Sequence, residues 1–193
     1  MKIKQIVLAT AAASALLASS SVFAIGASQG FYLGGQLGAA WNNLPSTPGV
    51  SENPFAWGIN GGYNYQIENS KFLVGGQIGV DGLGSTKISG TSGSGTLSYY
   101  SVNVLGTATY LLPENFYIWG ETGPSFAWTT ASSGGFSNSE SKMVWVLGAG
   151  AGYQWNKWDF FVRYDHYFGD SANSSNGKFP QINAVFGGVA YTF

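Results

Sequence analysis

Arg163 and Asp165 stand two residues apart in a stretch that reads as extended, Arg163-Tyr-Asp-His-Tyr-Phe168, and alternate residues of a strand share one face. A guanidinium and a carboxylate on one face can form a charge-assisted pair, about twice as strong as a neutral hydrogen bond. Taken out of water without a partner, such a charge costs several kcal/mol, so a buried Arg163 requires a carboxylate. Glu121 and Asp165 are the partners expected for it, with Gln36 and Gln77 as neutral polar side chains at a similar level. The single histidine, His166, is the residue that acid–base chemistry would recruit. One histidine among scattered carboxylates has no chelating spacing, so no metal is expected, and no other cofactor motif is present. The expected role of the polar set is to hold a structure together, with selectivity or gating of a channel as the alternative.

Those residues must be positioned by elements, and composition narrows which. Charged residues make up 9% of the 193-residue chain, far below the roughly 25% of soluble domains, while glycine and aromatics are abundant. So few charges could hardly cover a water-soluble surface. The N-terminus places Lys2 and Lys4 ahead of an apolar run from Ile6 to Leu17, then small residues leading to Ala24. That is the layout of a secretory signal peptide with cleavage after Ala24, and the run falls short of the ~20 residues of a spanning helix. Without Lys2 and Lys4, six Lys/Arg face nine Asp/Glu, a formal charge of −3, with no basic patch for nucleic acid. The absence of cysteine leaves neither a lipid-anchored N-terminus nor a disulfide framework. Beyond residue 24 no apolar segment is long enough to span as a helix. A membrane protein without spanning helices is a closed β-barrel, whose strands satisfy their backbone groups laterally.

The pattern from residue 29 onward has period two and predicts eight strands: 29–41, 54–66, 71–84, 96–112, 116–130, 141–155, 158–170 and 179–193. Each exceeds the ~9–11 residues of a tilted membrane strand. Short connections at 67–70, 113–115 and 156–157 alternate with long Ser/Gly/Asn-rich ones at 42–53, 85–95, 131–140 and 171–178. Tight turns at one rim and long polar loops at the other are the layout of an outer-membrane barrel. Alternation sorts each strand into two faces. One carries Leu33, Leu37, Trp41, Trp57, Ile78, Val104, Leu147, Val162 and Val189, with aromatics gathered towards the strand ends. The other carries Gln36, Asn60, Gln77, Asp81, Asn103, Thr107, Glu121, Arg163, Asp165 and most of the glycines. An eight-stranded interior is barely wide enough for side chains, so the glycine-rich polar face is the lumen. Tyr32, Trp119, Phe161 and Phe186 add bulk there, and water is expected in isolated pockets without a continuous column. A soluble ligand-binding barrel would have the opposite wiring.

Phe31-Tyr-Leu-Gly-Gly-Gln-Leu-Gly38, Gly148-Ala-Gly-Ala-Gly-Tyr-Gln154 and Val162-Arg-Tyr-Asp-His-Tyr167 resemble strands one, six and seven of the OmpA-like transmembrane domain, as does the ending Gly188-Val-Ala-Tyr-Thr-Phe193. The resemblance covers essentially the whole chain after the leader. It implies an eight-stranded barrel with a hydrated but plugged interior, and a terminal pattern read by the barrel-assembly machinery, carried here by Val185, Val189, Tyr191 and Phe193. It also implies a charged lumen network that this chain matches in part. Arg163 and Asp165 occupy the basic and acidic positions of strand seven. Glu121 stands where a basic residue is common, Gly152 where an acid is common, and Thr107 where a lysine is common. No peptidoglycan-binding segment follows Phe193, so wall anchoring is not expected. The segment 163–173 also resembles the lipid A deacylase barrels, which place a serine two positions after the histidine. Here that position is Phe168, and Ser171 has the wrong spacing, so no enzyme activity is expected.

These readings predict an integral outer-membrane barrel with a structural or surface-interaction role. A narrow porin-like channel and a lipid A-modifying enzyme are the rival classes. The expected partners are outer-membrane lipids including lipopolysaccharide, the assembly machinery and periplasmic chaperones, and an extracellular ligand met by the four long loops.

Overall fold

The structure, a computed structural model, describes residues 29–43, 50–90, 93–133, 136–169 and 179–193. The expected signal peptide and its cleavage site at Ala24 lie outside the described residues. Eight strands follow one another: β1 (Gly30–Asn42), β2 (Val50–Gln66), β3 (Phe72–Gly90), β4 (Gly93–Leu111), β5 (Phe116–Ser133), β6 (Phe136–Trp155), β7 (Trp158–Phe168) and β8 (Ile182–Thr192). Each pairs antiparallel with its neighbours, and β8 closes on β1 from Tyr32↔Thr192 to Asn42↔Ile182, so the barrel wall is closed. Among the described residues no helix is long and apolar enough to cross a membrane. The spanning is done by strands.

The three tight turns fall where the turn chemistry places them. Each requires left-handed backbone, supplied by Asn69 (φ 55°), by Glu114 and Asn115 (φ 61° and 65°) and by Asn156 (φ 57°). Asn is the non-glycine residue that tolerates this conformation best. The middle turn is a single 3-10 turn, Pro113–Asn115, opened by proline.

The opposite rim differs from expectation. The predicted loops at 85–95 and 131–140 are largely strand: β3 and β4 stay paired up to Gly90↔Gly93, and β5 and β6 up to Ser133↔Phe136. Within 42–53, the residues Val50–Asn53 pair with Ser85–Ile88. Positions 44–49 and 171–178 lie outside the described residues. Here the backbone ladder continues once the hairpin below it is formed, and the Ser, Thr and Gly content leaves no hydrophobic alternation to betray the strand. Gly84, with φ 82°, sits in the register shift between Gly82 and Ser85 where the two segments join. β7 ends at Phe168 and β8 begins at Ile182, both short of the predicted strand limits at this rim. Strands β2 to β6 thus rise above the rim, and β7, β8 and β1 do not.

The outer face is apolar from rim to rim. Leu37, Ile59, Ile78, Leu147 and Val162 are among its exposed side chains. Near the short turns, cross-strand ring pairs run round the barrel: Phe31–Tyr63, Phe72–Tyr110, Phe116–Tyr153 and Trp158–Tyr191, with Phe193 beside Tyr191 along the chain, all with centroids 4.8–5.3 Å apart. Trp41, Trp57, Tyr100, Trp128 and Trp145 form the second belt nearer the long connections. Two aromatic belts bounding an aliphatic band match the two interfaces of a bilayer.

Candidate functional site

Inside, the middle of the lumen is organised around Arg163. Its Nη2 lies 2.9 Å from Asp165 Oδ2 and 3.5 Å from Asp81 Oδ2, and its Nη1 lies 3.2 Å from Glu121 Oε1. All four side chains are almost fully buried. Asp81 is a hub in its own right. It accepts from Gln36 Nε2 and Tyr167 Oη, both at 2.9 Å, and from Asn103 Nδ2. Asn60 Nδ2 donates to Gln36 Oε1 at 3.3 Å, and Trp119 Nε1 donates to Glu121 Oε2 at 3.1 Å. The Phe186 ring centroid is 5.2 Å from the Arg163 guanidinium carbon. The network draws side chains from every strand except β6, whose Gly148 leaves the room: a Cβ there would stand 2.3 Å from Asp165 Oδ1.

Four of the five polar residues singled out from the sequence are therefore brought together. The fifth, Gln77, accepts instead from the Tyr32 hydroxyl at 2.9 Å, outside the Arg163 network. Sequence reasoning missed Asp81 as a partner. Alternation had placed it in the lumen, but it stands nine residues above the start of β3, whereas Glu121 and Arg163 stand five above the starts of β5 and β7. Barrel stagger brings those positions to one height. Tyr167 was missed too, although it shares the face of Arg163 and Asp165.

Below this layer, towards the short turns, lies a cavity of about 70 Å³. Aromatic rings wall it, and each lies over a glycine of the neighbouring strand: Trp119 over Gly150, Tyr117 over Gly152, Phe161 over Gly188 and Tyr32 over Gly62. A Cβ on Gly150 would come within 2.3 Å of the Trp119 ring. Gly150→Ala should therefore destabilise the refolded protein by about 1–3 kcal/mol and change its near-ultraviolet dichroism. Gly35→Ala, facing open space, should change neither. Equal behaviour of the two variants in urea titrations would remove the steric account.

Above the ionic layer an apolar cluster fills much of the lumen, with Thr86, Ser125 and Thr129 buried beside it. Leu83, Tyr99, Val144, Val146, Phe179 and Ile182 are buried together, with Tyr99 edge-on to Phe179 at 6.1 Å. Outside the barrel, His166 Nδ1 lies 2.8 Å from Asn183 Oδ1, which also accepts from the Tyr164 hydroxyl at 2.6 Å. The imidazole packs edge-on against Phe168 at 4.5 Å. Among the described residues no group of acids and His166 is placed to hold a metal.

A closed eight-stranded barrel with an apolar outer band between aromatic belts and an ion-paired lumen is a transmembrane barrel of the outer-membrane type. The chain belongs to the family of outer membrane protein beta-barrel domains, which it matches over residues 9–193. Its place is the outer membrane. Its fold is similar to that of Ail, the attachment invasion locus protein of Yersinia pestis, at 18% identity and a TM-score of 0.55, covering 86% of this chain and 97% of that one. It is also similar to Neisserial surface protein A, at 16% identity and a TM-score of 0.52, covering 84% and 97%. A search of curated proteins by sequence found no match.

Proposed function

We propose that this barrel has a structural and surface-interacting role, and that its lumen is a side-chain plug rather than a pore. The observation that carries this is the Arg163 layer, in which one guanidinium is engaged by Asp81, Glu121 and Asp165 while an apolar cluster fills much of the lumen above it. An ion crossing would have to break these pairs and then pass that apolar cluster. Single-channel recording of refolded protein in planar bilayers tests the reading. No steady conductance is expected, and a steady, ion-selective pore would overturn it.

The same reading makes the protein a non-enzyme, since His166 faces Phe168 and is held by Asn183. It offers an extracellular partner the paired extensions of β2 to β6 as a rigid platform, where binding function concentrates on scaffold-borne rims. Residues 1–24 act as a cleaved signal peptide delivering the chain to periplasmic chaperones and the assembly machinery. Val185, Val189, Tyr191 and Phe193 form an outward-facing strip on β8 and the residue after it, as a terminal assembly signal requires. Phe193→Ser should then lower the yield of folded protein in the outer membrane far more than Thr192→Ser, whose side chain points into the lumen. Equal yields of the heat-modifiable, folded form on gels would refute that role.

A further inference from the structure

The lower lumen holds chemistry that the plug above it does not use. Asp159 lies in the cavity wall, 8% exposed, with its Oδ2 accepting from Thr192 Oγ1 at 3.0 Å. Among the described residues it pairs with no cation. Around it stand Tyr32, Tyr117, Trp119 and Phe161, four rings lining one small space. Trp119 and Phe161 meet edge to face at 5.9 Å, and Tyr117 and Trp119 lie 5.6 Å apart, so the walls present ring surface at several angles. Asn60, 4% exposed, also lines the cavity, and its Oδ1 has no hydrogen-bond partner.

We propose that this cavity, set at the short-turn end of the barrel, is a binding site for a small organic ammonium ion. Three features select that class. Aromatic faces carry a negative quadrupole that attracts cations, most of all where water is excluded. The formal charge of the lumen has the same sign, because Asp81, Glu121, Asp159 and Asp165 face a single guanidinium. An anion would be repelled, and the guanidinium is already engaged by three carboxylates. An inorganic cation would gain little from aromatic walls, and among the described residues no chelating group of acids exists to replace its water shell. An organic cation uses both the rings and the carboxylate. The space, about 70 Å³, exceeds what a single water needs. Access is from the turn side, since Asn64, Thr109, Tyr117, Asp159 and Thr192 line the cavity within a few residues of the rim. Arg163 and Asn60 of the plug form part of the cavity's lining, and the carboxylate the proposal uses is Asp159, which takes no part in the ion pairs of Arg163.

Choline chloride is the probe, titrated calorimetrically into the refolded barrel at constant ionic strength, with the neutral isostere 3,3-dimethylbutan-1-ol as comparison. Saturable choline binding is expected, about tenfold or more tighter than that of the alcohol. Asp159→Asn, which keeps the shape and removes the charge, and Trp119→Leu should each weaken it about tenfold. Glu114→Gln, on the exposed turn of the same rim, should leave it unchanged. Unfolding curves identify any variant that fails to fold, and the remaining one then decides. Equal affinity for choline and the alcohol would overturn the proposal. So would binding that survives both cavity substitutions, binding lost in Glu114→Gln, or no saturable binding at tens of millimolar.

Discussion

Arg163→Ala is expected to lower the unfolding free energy by about 3–5 kcal/mol, the usual cost of removing one partner from a buried ion pair. Three carboxylates converge on this guanidinium, and the substitution leaves Asp81, Glu121 and Asp165 buried without their counter-charge. Asp81 keeps its bonds from Gln36, Asn103 and Tyr167, so the loss should centre on Glu121 and Asp165. Urea unfolding of the refolded protein in detergent measures the effect. Adding Glu121→Gln and Asp165→Asn in the same background should recover much of it, because neutral amides need no counter-ion. A loss below about 1 kcal/mol would put Arg163 among screened, water-exposed pairs and refute the buried network.

Val104→Arg is the second large effect. Val104 is 44% exposed on the outer face, opposite Ile78 in the β3–β4 register, and lies between the belt residues Tyr100 and Tyr110 of its own strand. A guanidinium there meets hydrocarbon, at about 2–4 kcal/mol near the bilayer midplane. Leu147→Arg should cost less, since Leu147 is two residues from the belt residue Trp145 and the penalty falls towards the interface. Thr107→Arg points into the lower cavity, where Asp159 lies in the wall of a lumen whose buried acids outnumber its one guanidinium, and should be milder than either. Refolding into lipid vesicles, followed by gel mobility, gives the ranking. Equal tolerance at Val104 and Thr107 would mean that the faces are inverted.

The faces, the strand count and the short turns could be read before any coordinates because their causes are local. Side chains alternate at every residue of a strand, so Leu37 and Gln36 are sorted by one peptide unit. Asn69, Asn115 and Asn156 carry the left-handed backbone of their turns in their own side-chain chemistry. The pairing of Ser85–Gly90 with Gly93–Ser98 could not be read this way. Thr86 faces inward there beside Leu97, and Ser, Thr and Gly dominate the rest, so the hydrophobic period that announces a strand is missing from the residue types.

What the sequence by itself determined is therefore which residues enter the lumen; what only the tertiary structure decided is which of them meet. Height in a barrel depends on the stagger accumulated from strand to strand around the closure. That sum involves every register shift, including the one at Gly82/Ser85, and no single segment contains it. It sets Asp81 level with Arg163 although their positions along β3 and β7 differ by four residues, and it leaves Gln77 with Tyr32 instead. It also lays Trp119 on Gly150 and Phe161 on Gly188. Alternation explains the glycines of the lumen, and closure of the barrel decides which ring each of them seats.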